Sequence, residues 1–129
     1  QVQTDTAGFA EALKSDTSAQ IVQPGADLDA IAAARLKAVG DGGGYVNAAR
    51  AMMALSGAPL TPILAGIKTP VAIIGGEKDI FCPPRAAEMI RQEIPSADYD
   101  EIPNAGHLIS VDQPQLYSAA IQRALTRRP

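Results

Sequence analysis

The chain has 129 residues, 47% of them hydrophobic and 19% charged, which is enough apolar material for one globular domain with a core. Eleven Lys and Arg against 14 Asp and Glu leave a net charge of -3, so the basic footprint of a nucleic-acid binder is absent. The ordinary apolar fraction excludes intrinsic disorder, and a single cysteine, Cys82, excludes an internal disulfide framework or a multi-thiolate zinc site. No run approaches the roughly 18 apolar residues of a membrane span. Gln1-Val2-Gln3-Thr4-Asp5 has no signal-peptide character, so a cytoplasmic protein without a membrane partner is expected. A start at Gln1 rather than Met suits a processed product or a fragment.

In chain order, Phe9, Ala10 and Leu13 at helical spacing predict a short helix from Thr6 to about Lys14. Ser15 to Ala26 reads as a connection. Asp27 is a suitable N-cap for a helix with Leu28, Ile31, Ala32, Leu36 and Val39 on one stripe, ended by Gly40. Gly42-Gly43-Gly44 marks a hinge, and a further helix is expected from Tyr45 to about Leu55, with Gly57 closing it. Thr61-Pro62 opens a short helix that Gly66 ends.

After Pro70 the period changes. Val71-Ala72-Ile73-Ile74 reads as a strand buried on both faces, as in a parallel sheet. Pro83-Pro84 opens a helix that Pro95 stops. A second strand is expected at about Asp98 to Ile102, although Asp98 and Asp100 are poor strand residues. Asn104-Ala105-Gly106 makes a turn. Asp112-Gln113-Pro114 then starts a last helix through about Leu125, with Leu116, Ala120, Ile121 and Leu125 facing the core. Strand, helix, strand, helix is the order of a right-handed βαβ crossover with a final helix packed on the sheet.

Ligands of open α/β sheets bind at the C-terminal ends of the parallel strands. Asp79 follows the first strand in Gly75-Gly76-Glu77-Lys78-Asp79, and His107 follows the second in Pro103-Asn104-Ala105-Gly106-His107. A carboxylate bonded to one imidazole nitrogen fixes the tautomer and leaves the other nitrogen free as a general base. Taken singly, such an Asp is most often a loop or capping residue and such a His a surface or core residue. The order Asp then His on one sheet edge is the more specific signal.

With those residues in place, positions 59–125 resemble the C-terminal portion of the α/β-hydrolase family. The resemblance runs through Leu64-Ala65-Gly66-Ile67-Lys68-Thr69-Pro70-Val71, Gly76-Glu77-Lys78-Asp79 with Pro83, and Ile94-Pro95-Ser96-Ala97. It continues in Ile102-Pro103-Asn104-Ala105-Gly106-His107 and Gln113-Pro114. It implies an α/β fold in which residues 1–66 are a helical cap or lid and residues 67–129 are the C-terminal βαβα part of the core. It also implies Asp79 as the acid and His107 as the base of a Ser-Asp-His triad, with no cofactor. The small esterase and enol-lactonase-like members look most similar. The departure is equally plain, because the Gly-x-Ser-x-Gly nucleophile elbow has no counterpart. Ser15, Ser18 and Ser56 are the serines before Asp79, and Ser56 lies in Ala54-Leu55-Ser56-Gly57-Ala58.

Other signals are blander. Cys82, in Phe81-Cys82-Pro83-Pro84, reads as a small buried or loop residue. Gly40-Asp41-Gly42-Gly43-Gly44 lacks the strand before it and the Gly-Lys-Ser/Thr after it that a phosphate loop needs. Met52 and Met53 could line an acyl pocket, but read first as core packing, and Arg123, Arg127 and Arg128 read as solvated charge on the last helical turn. The expectation is the C-terminal chain or fragment of a serine hydrolase acting on a carboxylic ester or lactone. Its nucleophile would come from a companion N-terminal half carrying Gly-x-Ser-x-Gly. The alternatives are a non-catalytic module that pairs with a second copy of itself, or another reaction of the family: epoxide, haloalkane or C–C bond hydrolysis, or acyl transfer.

Overall fold

The computed structural model describes residues 6–40 and 42–126, so Asp41, Arg127, Arg128, Pro129 and the first five residues lie outside the described residues. The chain forms two compact units, Gln1–Ala19 with Asp27–Leu60, and Gln20–Ala26 with Thr61–Pro129.

The first unit is helical. Its elements are α1 (Thr6–Gln20, whose last residue joins the second unit), α2 (Leu28–Val39) and α3 (Gly43–Gly57). The side chain of Asp27 accepts the Ala30 N–H at 2.9 Å and starts α2. The first helix runs two turns past Lys14 because its polar residues are satisfied without leaving the helix. Thr17 donates to the Leu13 carbonyl at 2.7 Å, while Arg35 of α2 donates to Thr17 at 2.7 Å and pairs with Asp16 at 3.0 Å. Residues that favour loops in isolation are here held by a neighbouring helix. No residue of α3 is buried, so Met52 and Met53 are exposed rather than core.

The second unit carries the sheet. After α4 (Thr61–Leu64) come β1 (Ala72–Gly76), α5 (Pro84–Glu93), β2 (Asp98–Ile102), α6 (Ile109–Asp112) and α7 (Pro114–Thr126). The two strands pair in parallel, with Ala72 beside Asp98 and Gly76 beside Ile102. Both α5 and α7 pack on both strands. Ile102, Ala105, Ile109 and Ala120 form the core, with Ile74 and Tyr117 packed against them. Burying an isoleucine of this kind is worth about 2–3 kcal/mol.

Four sequence expectations change here. β1 is not buried on both faces: Ala72 is exposed and Ile73 and Ile74 are half-buried, because β2 is the only strand beside it among the described residues. Of the four positions expected to face the core from α7, only Ala120 is buried, and Leu116, Ile121 and Leu125 are exposed. Helical spacing assigns residues to a shared face but does not supply the surface that covers it. A short additional helix, α6, precedes α7. β2 forms despite Asp100 because that carboxylate pairs with Arg123 of α7 at 3.1 Å, so Arg123 is not simply solvated charge. Among the described residues no helix is long and apolar enough to cross a membrane.

Candidate active site

The loops that leave β1 and β2 are tied to each other. Glu77 N–H donates to the Ile102 carbonyl at 3.0 Å and Lys78 N–H to the Ala105 carbonyl at 2.9 Å, continuing the ladder past the strand ends. The Glu77 carboxylate accepts the Asn104 N–H at 2.8 Å, and the Lys78 ammonium donates to Asn104 Oδ1 at 2.9 Å. Asn104 turns the chain with a φ of 52°. Gly76 makes this approach possible. A Cβ there would stand 2.4 Å from the Gly106 carbonyl oxygen and 2.5 Å from that of Ala105, closer than any side chain tolerates.

This lacing brings Asp79 and His107 into contact. Asp79 Oδ2 lies 2.8 Å from His107 Nδ1. Asp79 Oδ1 accepts the backbone N–H groups of Phe81 at 2.8 Å and Cys82 at 2.9 Å. The Asp79 side chain is 5% exposed and that of His107 is 38% exposed. Burial opposes ionisation of Asp79. Hydrogen bonds from the Cys82 N–H, from His107 and from the Phe81 N–H, with the charge of His107, outweigh that burial and hold the carboxyl below its ordinary value of 3.8. An ionised carboxylate only accepts, so His107 Nδ1 carries a proton, and in the neutral ring the lone pair is then on Nε2. The Phe81 ring lies 5.4 Å from the imidazole, centroid to centroid, tilted by 50°.

The depressed Asp79 value makes a pH prediction. Its contribution to stability is fully present above the unfolded pKa and is lost as the pH falls through that value towards the folded one. Urea midpoints of the wild type should drop over roughly pH 5 to 3 more steeply than those of Asp79→Asn. Equal slopes would show that the pair does not contribute.

Asp112 is the functional residue that sequence reasoning missed, since it reads there as a helix start. It is buried, and its carboxylate accepts three backbone N–H groups: Gly106 at 2.7 Å, Val22 at 3.1 Å and Gln23 at 3.0 Å. Leu108 N–H also donates to the Gln20 carbonyl at 3.0 Å. The residues on both sides of His107 are thus fixed to segment 20–26. The signal available in the sequence was an acidic residue five positions after His107 and two before Pro114.

A cavity of about 280 Å³ opens beside His107, lined by Ala72, Ile74, Leu108, Ile109, Ser110 and Tyr117. Its lining mixes apolar side chains with Ser110 and Tyr117. Cys82 is not buried; it lies exposed in the Asp79 loop, near both members of the pair. Ser56 sits in α3 with its hydroxyl bonded to the Met53 carbonyl at 2.7 Å, an ordinary helix back-bond.

No family model matches the chain. A (R)-3-hydroxydecanoyl-ACP:CoA transacylase of Pseudomonas aeruginosa is 36% identical over 63 residues, 49% of this chain and 21% of that protein. An α/β hydrolase enzyme from a Medee basin deep-sea metagenome library superposes with a TM-score of 0.50 at 27% identity, over 54% of this chain and 26% of its own. A membrane phospholipase A, described as a bacterial virulence factor, gives 0.61 at 21% identity over 92% of this chain and 39% of its own. The chain therefore spans about a fifth to two fifths of the length of these relatives. With its parallel strand pair crossed over by a helix, the chain has the architecture of the C-terminal portion of the α/β-hydrolase fold.

Proposed function

We propose that Asp79 and His107 are the acid and base of a serine hydrolase that cleaves a carboxylic ester or lactone, with the serine supplied by a companion N-terminal half. The observation that carries this reading is the 2.8 Å contact between a buried carboxylate and the Nδ1 of a partly exposed imidazole. In the reaction, the serine hydroxyl attacks the ester carbonyl while His107 Nε2 takes its proton. The imidazolium passes that proton to the departing alkoxide, and water then releases the acid by the same steps. Asp79 holds the tautomer and stabilises the imidazolium throughout. The half-exposed β1 supports the companion: two parallel strands make a marginal sheet, and the edge of β1 offers main-chain groups for a further strand.

The test is the intact mass of everything that co-purifies with the chain, followed by hydrolysis of 4-nitrophenyl and lactone substrates. The expected result is turnover by the assembly that carries Gly-x-Ser-x-Gly and background rates for the chain alone. A stable homodimer with no companion would favour the binding-module alternative, and an inert assembly would overturn the hydrolase reading. The matched transacylase segment favours a second reading, acyl transfer to a thiol instead of water. It predicts thioester product when a thiol acceptor is added to the same assay.

A further inference from the structure

We propose that Asp79, Cys82 and His107 also form a binding site for a soft divalent cation, zinc above all, and that occupancy switches the acid–base pair off. One ligand atom from each, a carboxylate oxygen, a thiol sulfur and a ring nitrogen, lie within 4.8 Å of one another. Zinc bonds of 2.0–2.3 Å in a tetrahedron place ligand atoms roughly 3.3–3.8 Å apart, so closure needs movements of about 1 Å. Side-chain rotation at Cys82 and His107, both exposed, can supply them, while the third donor is already fixed. Asp79 is buried and held through Oδ1 by two backbone N–H groups, which leaves Oδ2 on the His107 side.

The donor set selects the metal. One thiolate, one imidazole and one carboxylate suit zinc, whereas magnesium and calcium prefer oxygen alone. Three protein donors on two neighbouring loops, two of them exposed, leave a fourth position for water. On binding, the Cys82 thiol gives its proton to solvent and a metal–sulfur bond replaces S–H. The imidazole loses its basic function at whichever nitrogen the metal takes. At Nε2 the metal occupies the lone pair that would accept the serine proton, and at Nδ1 it forces the ring proton onto Nε2.

The metal site stands on geometry alone, and only its inhibitory effect rests on the proposed hydrolase reading. The chain without affinity tags should bind one zinc ion, read by calorimetry. Cobalt as a substitute should give thiolate-to-metal charge-transfer absorption in the near ultraviolet, and the ring signals of the one histidine should shift in NMR. Cys82→Ala, at an exposed position, should remove the absorption band and weaken zinc binding at least about tenfold, as should His107→Ala. Absence of stoichiometric binding at 100-fold excess zinc, or affinity unchanged in both variants, overturns the site. In the active assembly, zinc should inhibit the wild type and inhibit Cys82→Ala at least about tenfold less effectively, each relative to its own rate in chelator. An active assembly indifferent to zinc overturns the switch but not the hydrolase reading. A zinc-binding chain in an inert assembly overturns the hydrolase reading but not the site.

Discussion

Asp112→Ala is expected to destabilise the sheet-bearing unit by about 3 kcal/mol or more in urea unfolding, the largest loss among single substitutions away from Asp79 and His107. Alanine removes one carboxylate and leaves the N–H groups of Gly106, Val22 and Gln23 without their acceptor. Each such donor costs about 1–3 kcal/mol when buried, although Val22 and Gln23 recover part of that from water. Asp112→Asn should cost less, because one amide oxygen still accepts while the NH2 faces a donor. The same variants carry a second readout. Segment 20–26 should lose amide-exchange protection in Asp112→Ala, and the histidine Nδ1 proton signal should broaden as the Gly106 anchor goes. A change below about 0.5 kcal/mol would show that Asp112 is dispensable.

Little of this was visible in the sequence, and the reason is physical. The pairing of Asp79 with His107 was legible because it follows from local rules: a β-branched run fixes a strand, prolines fix the crossover helix, and parallel pairing puts both following loops at one end. β2 was legible for its span, Asp98 to Ile102, but not for its tolerance of Asp100, which depends on Arg123 in another helix. Asp112 was illegible because its partners Val22 and Gln23 are about 90 positions away in the chain. The end of α1 was missed for a similar reason, since Arg35 on a different helix satisfies Thr17 and Asp16. Exposure of Leu116 and Leu125 was missed because periodicity describes one surface of a contact that needs two.

In an assembly with its nucleophile, His107→Ala is expected to lower kcat by roughly 10³-fold or more, and Asp79→Asn by about 10²–10⁴-fold, with KM changing far less. The two substitutions should not be additive, since without the imidazole the carboxylate has nothing to orient. Far-ultraviolet circular dichroism must match the wild type for the comparison to hold; the exposed His107 ring meets that condition more easily than the buried Asp79. Unchanged turnover in His107→Ala would end the assignment of the base.

Asp79 and His107 stand only 28 positions apart, and the loops that carry them are joined by one crossover, one glycine without room for a methyl group, and four loop hydrogen bonds. Closing a circuit of that length carries a modest entropic penalty. Contacts this local in the chain form early, so the carboxylate and the imidazole should meet before segment 20–26 is anchored.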